Sequence, residues 1–167
     1  MENLQTAIST RAKSLAERIT QGANLLGNFA ERLSEAEWQT PVVGDGRSIG
    51  VVVHHVATAY LLEIELAQLL ASGEPITGAT MELVDQMNAD HASEHANAGK
   101  YETLELLKTN SKFAADSVMA FTDQELENSA TVSLNADAPL TAQFFIEDHA
   151  LRHSYHHLAK IRATLNK

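Results

Sequence analysis

The last helix-forming stretch of the chain carries four histidines, His149, His153, His156 and His157, in the run EDHALRHSYHHLAKIRATL. Two more of the eight are adjacent, at His54 and His55. Imidazole is the commonest protein ligand for metal ions and titrates nearest neutral pH. Residues four apart on a helix share a face, with Cβ atoms roughly 5–6 Å apart. His153 and His157 have that spacing. Two imidazoles from one helix and a third from another make a three-nitrogen site. That donor set suits Zn, Ni, Cu or Fe. Three protein ligands leave one position for water or substrate, the pattern of a catalytic rather than a closed structural site.

Helices must position these residues. Apolar spacing predicts a first helix from about Leu4 to Leu33, with Leu4, Ile8, Leu15, Ile19, Leu25, Leu26 and Phe29 as its stripe. Ser34 to Glu37 reads as a capped turn before Trp38, and Pro41, Gly44 and Gly46 punctuate the loop that follows. Ser48 caps a second helix that ends near Ser72, where Gly73 and Pro75 stop it. A third helical region starts near Thr80 and fades between His91 and Gly99. A further helix covers about Glu102 to Phe121, and Thr122 to Glu125 resembles another capping box. Asn128 to Pro139 has weak strand character but reads as a long loop. The last helix runs from about Thr141 to Leu165. Four long amphipathic helices joined by long crossings predict an all-α four-helix bundle.

Helical phase sorts the histidines. In the second helix the row Val52, His55, Ala59, Leu62, Leu66 and Leu69 is apolar apart from His55, so His55 is expected to face the core. The row through His54 (Arg47, Val51, Thr58, Leu61 and Glu65) is mixed, which makes His54 peripheral. In the last helix His153 and His157 lie in the row Ile146, Ala150, Ile161 and Thr164, beside the main apolar row through Leu151 and Leu158. His149 and His156 share the polar row of Arg152 and Lys160 and are expected to face solvent or a partner. His55, His153 and His157 are therefore the candidate metal ligands. A lone buried histidine is usually a hydrogen-bonded core residue. For three converging ones, metal binding and structural histidines both remain open on spacing alone. His91 and His95 are also four apart, but their polar surroundings read as a solvated helix end rather than a second metal site. Glu63 and Asp148 are the carboxylates nearest the candidate ligands in sequence. Either is a conceivable general base, although Glu63 reads better as a residue on an outward helix face.

Composition narrows the function classes. The 167 residues are expected to form one domain. The net charge of −10 removes the basic footprint that nucleic-acid affinity rests on, and makes an anionic membrane surface a poor partner. With no cysteine there is no disulfide framework, no thiolate metal site and no cysteine nucleophile. The first residues lack the basic-then-apolar order of a signal peptide, and Val51 to Ala71 is interrupted by His54, His55, Glu63 and Glu65. A cytoplasmic location is the expectation.

These features together resemble the DinB-like family (DinB/YfiT-like metalloenzymes). The resemblance rests on His55-Val56-Ala57 in the second helix, the H-x-x-x-H of His153 and His157 inside an HH-x-x-x-I run, Trp38 before a glycine-containing loop, and a Ser cap on the second helix. Lys160 stands where many relatives carry Gln. The resemblance spans essentially the whole chain. It implies a four-helix bundle holding a divalent metal, often nickel or zinc, on His55, His153 and His157, and it implies a homodimer. A divalent ion on three neutral imidazoles can lower the pKa of bound water towards about 7 and polarise a carbonyl, which permits hydrolysis. The same open position suits a low-molecular-weight thiol, as in the thiol-dependent transferases and isomerases the family resembles. A small-molecule substrate is expected in either case. The competing readings are a non-catalytic binding or interaction protein with structural histidines, and haem ligation between helices.

Overall fold

The computed structural model describes residues 9–167. Helix α1 (Thr10–Glu31) opens on Ser9, whose side chain accepts from the Ala12 amide. Leu15, Ile19, Leu26 and Phe29 form its buried stripe as the spacing predicts. Leu25 does not join them and is 40% exposed. Successive helical residues point about 100° apart, so only one of the Leu25–Leu26 pair fits the stripe. The expected start of this helix, and Leu4 and Ile8 with it, lie outside the described residues.

Short helix α2 (Glu35–Trp38) carries the reciprocal Ser34–Glu37 capping box. Helix α3 (Ile49–Ala71) is capped by Ser48, which accepts from the Val51 amide. Trp38 is buried against α3 at Gly50, where any Cβ would collide with its indole. The indole Nε1 donates to the Ala98 carbonyl at 2.9 Å, so this one ring joins α2, α3 and the chain leaving the next helix. That helix, α4 (Met81–Glu94), is capped by Thr80 and contains no buried residue. Helix α5 (Lys100–Met119) and short helix α6 (Asp123–Glu127) follow, the latter with the Thr122–Glu125 capping box.

The segment after α6 corrects the expected loop. Strands β1 (Ser129–Thr131) and β2 (Pro139–Thr141) pair antiparallel, with Ala130 opposite Leu140. Val132 is buried and bridges to Ile76, so the weak apolar alternation there reports a real packing face. The final helical path is α7 (Ala142–Ile146), a π-turn over Glu147–Leu151, and α8 (Arg152–Leu165).

The four long helical elements pack as a bundle in which α1 and α3 occupy opposite corners, each flanked by α5 and by the α7–α8 path. Consecutive long helices α1 and α3 are therefore not neighbours. The connection between α1 and α3 crosses an end of the bundle, and the one between α3 and α5 returns alongside α3, carrying α4 against it. Among the described residues, α3 is the one helix long and apolar enough to cross a bilayer by composition. Half of its most apolar window is buried inside the bundle, as expected of a core helix.

Candidate metal centre

Helices α3 and α8 bring His55, His153 and His157 together. Each offers a ring nitrogen, and those nitrogens lie within 4.8 Å of one another. The ring centroids form a near-regular triangle, with sides of 4.9 Å (His55–His153), 4.9 Å (His153–His157) and 5.6 Å (His55–His157). His153 Nε2 and His55 Nε2 are 3.1 Å apart. Two imidazole nitrogens on one tetrahedral ion at 2.0–2.1 Å stand roughly 3.3 Å apart. The observed separation is close to that of two donors sharing an ion, and is also within the range of a ring-to-ring N–H···N hydrogen bond.

Three further observations fit such an ion. His157 Nδ1 is buried with no hydrogen-bond partner. A buried nitrogen left in this way costs about 1–3 kcal/mol unless something satisfies it. Burial, and then the neighbouring imidazoles, push His55 down to about 3 and His157 down to about 2. Both rings are thus neutral at pH 7, the form that donates a lone pair. Finally, His153 Nδ1 donates to Glu63 Oε1 at 2.7 Å, which turns Nε2 of the same ring towards His55. A carboxylate on the far nitrogen of a histidine is the usual support of a metal-binding imidazole.

Glu63 corrects the expectation of an outward helix face. It is 9% exposed, and its Oε2 is buried without a partner. The core face of α3 runs through Val56, Tyr60, Ile64 and Ala67, one residue step from the row that sequence phase selected. Glu63 sits on the edge of that face towards α8. The available sequence signal was a lone carboxylate inside the long apolar run after His55. Asp148, the other carboxylate considered, pairs with Arg152 at 3.1 Å and is 40% exposed.

The surrounding packing fixes the two helices. Tyr60 and Ser154 share a buried hydroxyl–hydroxyl hydrogen bond of 2.6 Å beside His153. Burial pushes the Tyr60 phenol well above its ordinary range and keeps it neutral. Asn110 Nδ2 of α5 donates to the Ala57 carbonyl at 2.8 Å, two residues after His55. The π-turn lies just before His153, and such turns often occur at functional sites. Its extra residue shifts the phase of His149 relative to α8. His149 keeps a side chain 43% exposed, with its ring 4.2 Å from that of Phe145. Desolvation lowers its pKa. His156 is exposed as expected.

The structure also gathers residues that the spacing did not connect. Arg47 Nε and Nη2 bind Asp45 at 2.6 and 2.8 Å, which holds Asp45 down to about 2. The Arg47 charge acts on His55, His91 and His157, and its Nη1 is buried without a partner. No helical period links a loop residue such as Arg47 to the histidines. His91 and His95, expected at a solvated helix end, instead pack against His54 with all three rings half-buried. Two surface clefts, of about 390 and 300 Å³, contain none of these histidines.

Comparison with known proteins places this architecture. YfiT from Bacillus subtilis superposes with a TM-score of 0.75 at 18% identity, over 97% of this chain and 90% of that one. It is described as a probable metal-dependent hydrolase with an unusual four-helix bundle topology. A crystal structure from Exiguobacterium sibiricum 255-15, provisionally assigned to the DinB family, matches with a TM-score of 0.58 at 17% identity. That match covers 96% of this chain and 93% of the other. At these identities the likeness concerns the fold. No curated protein matches the chain. The model of the DinB superfamily matches residues 18–161, nearly the whole bundle, and the chain belongs to that superfamily.

Proposed function

We propose that this protein is a metal-dependent hydrolase that holds a divalent ion, zinc or nickel, on His55, His153 and His157. The observation that carries the reading is the convergence of three half-buried or buried imidazoles, one of them oriented by Glu63. The hydrolase description of the Bacillus subtilis neighbour agrees with it. A bound divalent ion would supply Lewis acidity and an activated water. The chain's own residues do the rest. His55 and His157 stay neutral because burial disfavours their protonation. Glu63 accepts the His153 Nδ1 proton and so fixes which nitrogen faces the centre. The neutral hydroxyl pair of Tyr60 and Ser154 locks α3 to α8. Arg47, already paired to Asp45, places positive charge beside the centre, where it favours a substrate bearing a carbonyl or carboxylate oxygen.

The test is metal content followed by turnover. Protein purified without added metal is assayed for bound zinc and nickel, beside His157→Ala and the exposed control His156→Ala. Wild type and H156A are expected to retain the same metal content and H157A to lose the ion held by His55, His153 and His157, one fewer per chain. Equal metal in all three, or none in any after zinc or nickel is supplied, overturns the reading. Metal-loaded protein is then offered ester and amide substrates, and separately a low-molecular-weight thiol with an electrophile. Turnover only in the presence of thiol would replace the hydrolase reading with a thiol-dependent transferase.

A further inference from the structure

The cluster opposite α4 belongs to neither the hydrophobic core nor the three-histidine centre. We propose that His54, His91 and His95 form a second divalent-cation site, of the Zn²⁺, Ni²⁺ or Cu²⁺ class, that fastens α4 to α3. The site stands on its own residues and does not depend on the function proposed above.

Each of the three offers a ring nitrogen within 4.8 Å of the others. His54 Nδ1 and His91 Nε2 are 2.9 Å apart, at hydrogen-bond distance, and need move apart only slightly to reach the roughly 3.3 Å expected for two nitrogens on one tetrahedral ion. The His95 ring stacks on His54 with centroids 4.0 Å apart, and lies 4.7 Å from that of His91. The second nitrogen of the His91 ring, Nδ1, is buried with no partner.

The fold supplies a reason for an ion here. Helix α4 has no buried residue, and its large apolar side chains Met81, Leu83 and Met87 are 48–59% exposed. Burial of apolar surface therefore contributes little to holding α4 in place. Ser133 ties the start of this region through two hydrogen bonds to Ala79, while the histidine cluster and the Trp38–Ala98 hydrogen bond hold its far end. His91 stands in the last turn of α4 and His95 is its C-cap. A cation at that end interacts favourably with the helix dipole. Asp85, Asp90 and Glu94 on the same helix add negative charge. The two histidine groups abut, since His54 and His55 are consecutive and the His55 and His91 rings are 5.6 Å apart. An ion in the second group would thus hold α4 as a wall beside the first.

Zinc titration of the metal-free full chain against a chromophoric chelator separates the two sites. Wild type is expected to bind two zinc ions per chain. His95→Ala, whose side chain touches none of the first three histidines, is expected to bind one. H157A is also expected to bind one, and the double variant none. Amide hydrogen exchange across residues 81–95 provides a readout independent of activity. Zinc is expected to slow it several-fold in wild type and in H157A, and not in H95A. His91→Asn checks the result with a side chain that leaves the helix cap in place. One zinc per chain in both wild type and H95A, with none in H157A, would overturn the second site and leave the first standing. Exchange in α4 that ignores zinc in H157A would overturn it equally.

Discussion

Replacing Glu63 tests the geometry of the centre most directly. Its Oε1 accepts from His153 Nδ1 at 2.7 Å, in a site where the carboxylate is 11% exposed. A hydrogen bond to a charged group contributes about 1.5–3 kcal/mol. Losing the carboxylate behind a metal-binding histidine typically costs 10–100-fold in metal affinity. At about 1.4 kcal/mol per decade the two figures agree. Glu63→Ala is therefore expected to weaken zinc binding roughly 10–100-fold. Glu63→Gln keeps an oxygen for the Nδ1 proton but loses the charge, and should fall between wild type and Glu63→Ala. The metal-free protein should respond differently. Glu63 Oε2 is buried with no partner, so removing the carboxylate relieves an unsatisfied group while it loses one bond. The urea midpoint of metal-free E63A should then shift far less than its metal affinity does. Competition against a chelator, with unfolding measured in parallel, reads both quantities. Zinc affinity within threefold of wild type in E63A, or a large stability loss with affinity unchanged, would refute the orienting role.

Three further outcomes follow from the same contacts. Folding holds His55 and His157 at about 3 and 2, against about 6.5 when unfolded, so the unfolded chain binds more protons below pH 6.5. The stability of the metal-free protein should be full above that pH and decline as the pH falls towards 3. A urea midpoint that stays flat between pH 7.5 and 5 would contradict this. Gly50→Ala should destabilise by about 1–3 kcal/mol, because the added Cβ meets an indole that its bond to Ala98 holds in place. A raised melting temperature would show that the ring can move. Tyr60→Phe should lose about 1–2 kcal/mol by leaving the buried Ser154 hydroxyl without its partner. Thermal unfolding of the variant measures it.

Much of this was legible in the sequence because it is local. Ser48, Thr122 and Ser34 announce helix starts by bonding within three residues of themselves. The i,i+4 spacing alone puts His153 and His157 on one face of α8, and the apolar rows beside them turn that face inward. The π-turn lies before Arg152, so it leaves the phase of that pair intact while it moves His149. The register of β1 with β2 was harder to read, since three-residue strands are too short for alternation to stand out.

What the sequence determined, then, is which residues share a helix face, because covalent geometry fixes a helix's phase. What only the tertiary structure decided is which faces meet. Glu63 becomes the support of His153 because α8 packs along the edge of α3 that carries it. His91 and His95 become partners of His54 because a crossover lays α4 against α3, tied by a tryptophan to a carbonyl 60 residues away. Distances between elements follow from the packing of the whole chain, and no period within one helix encodes them.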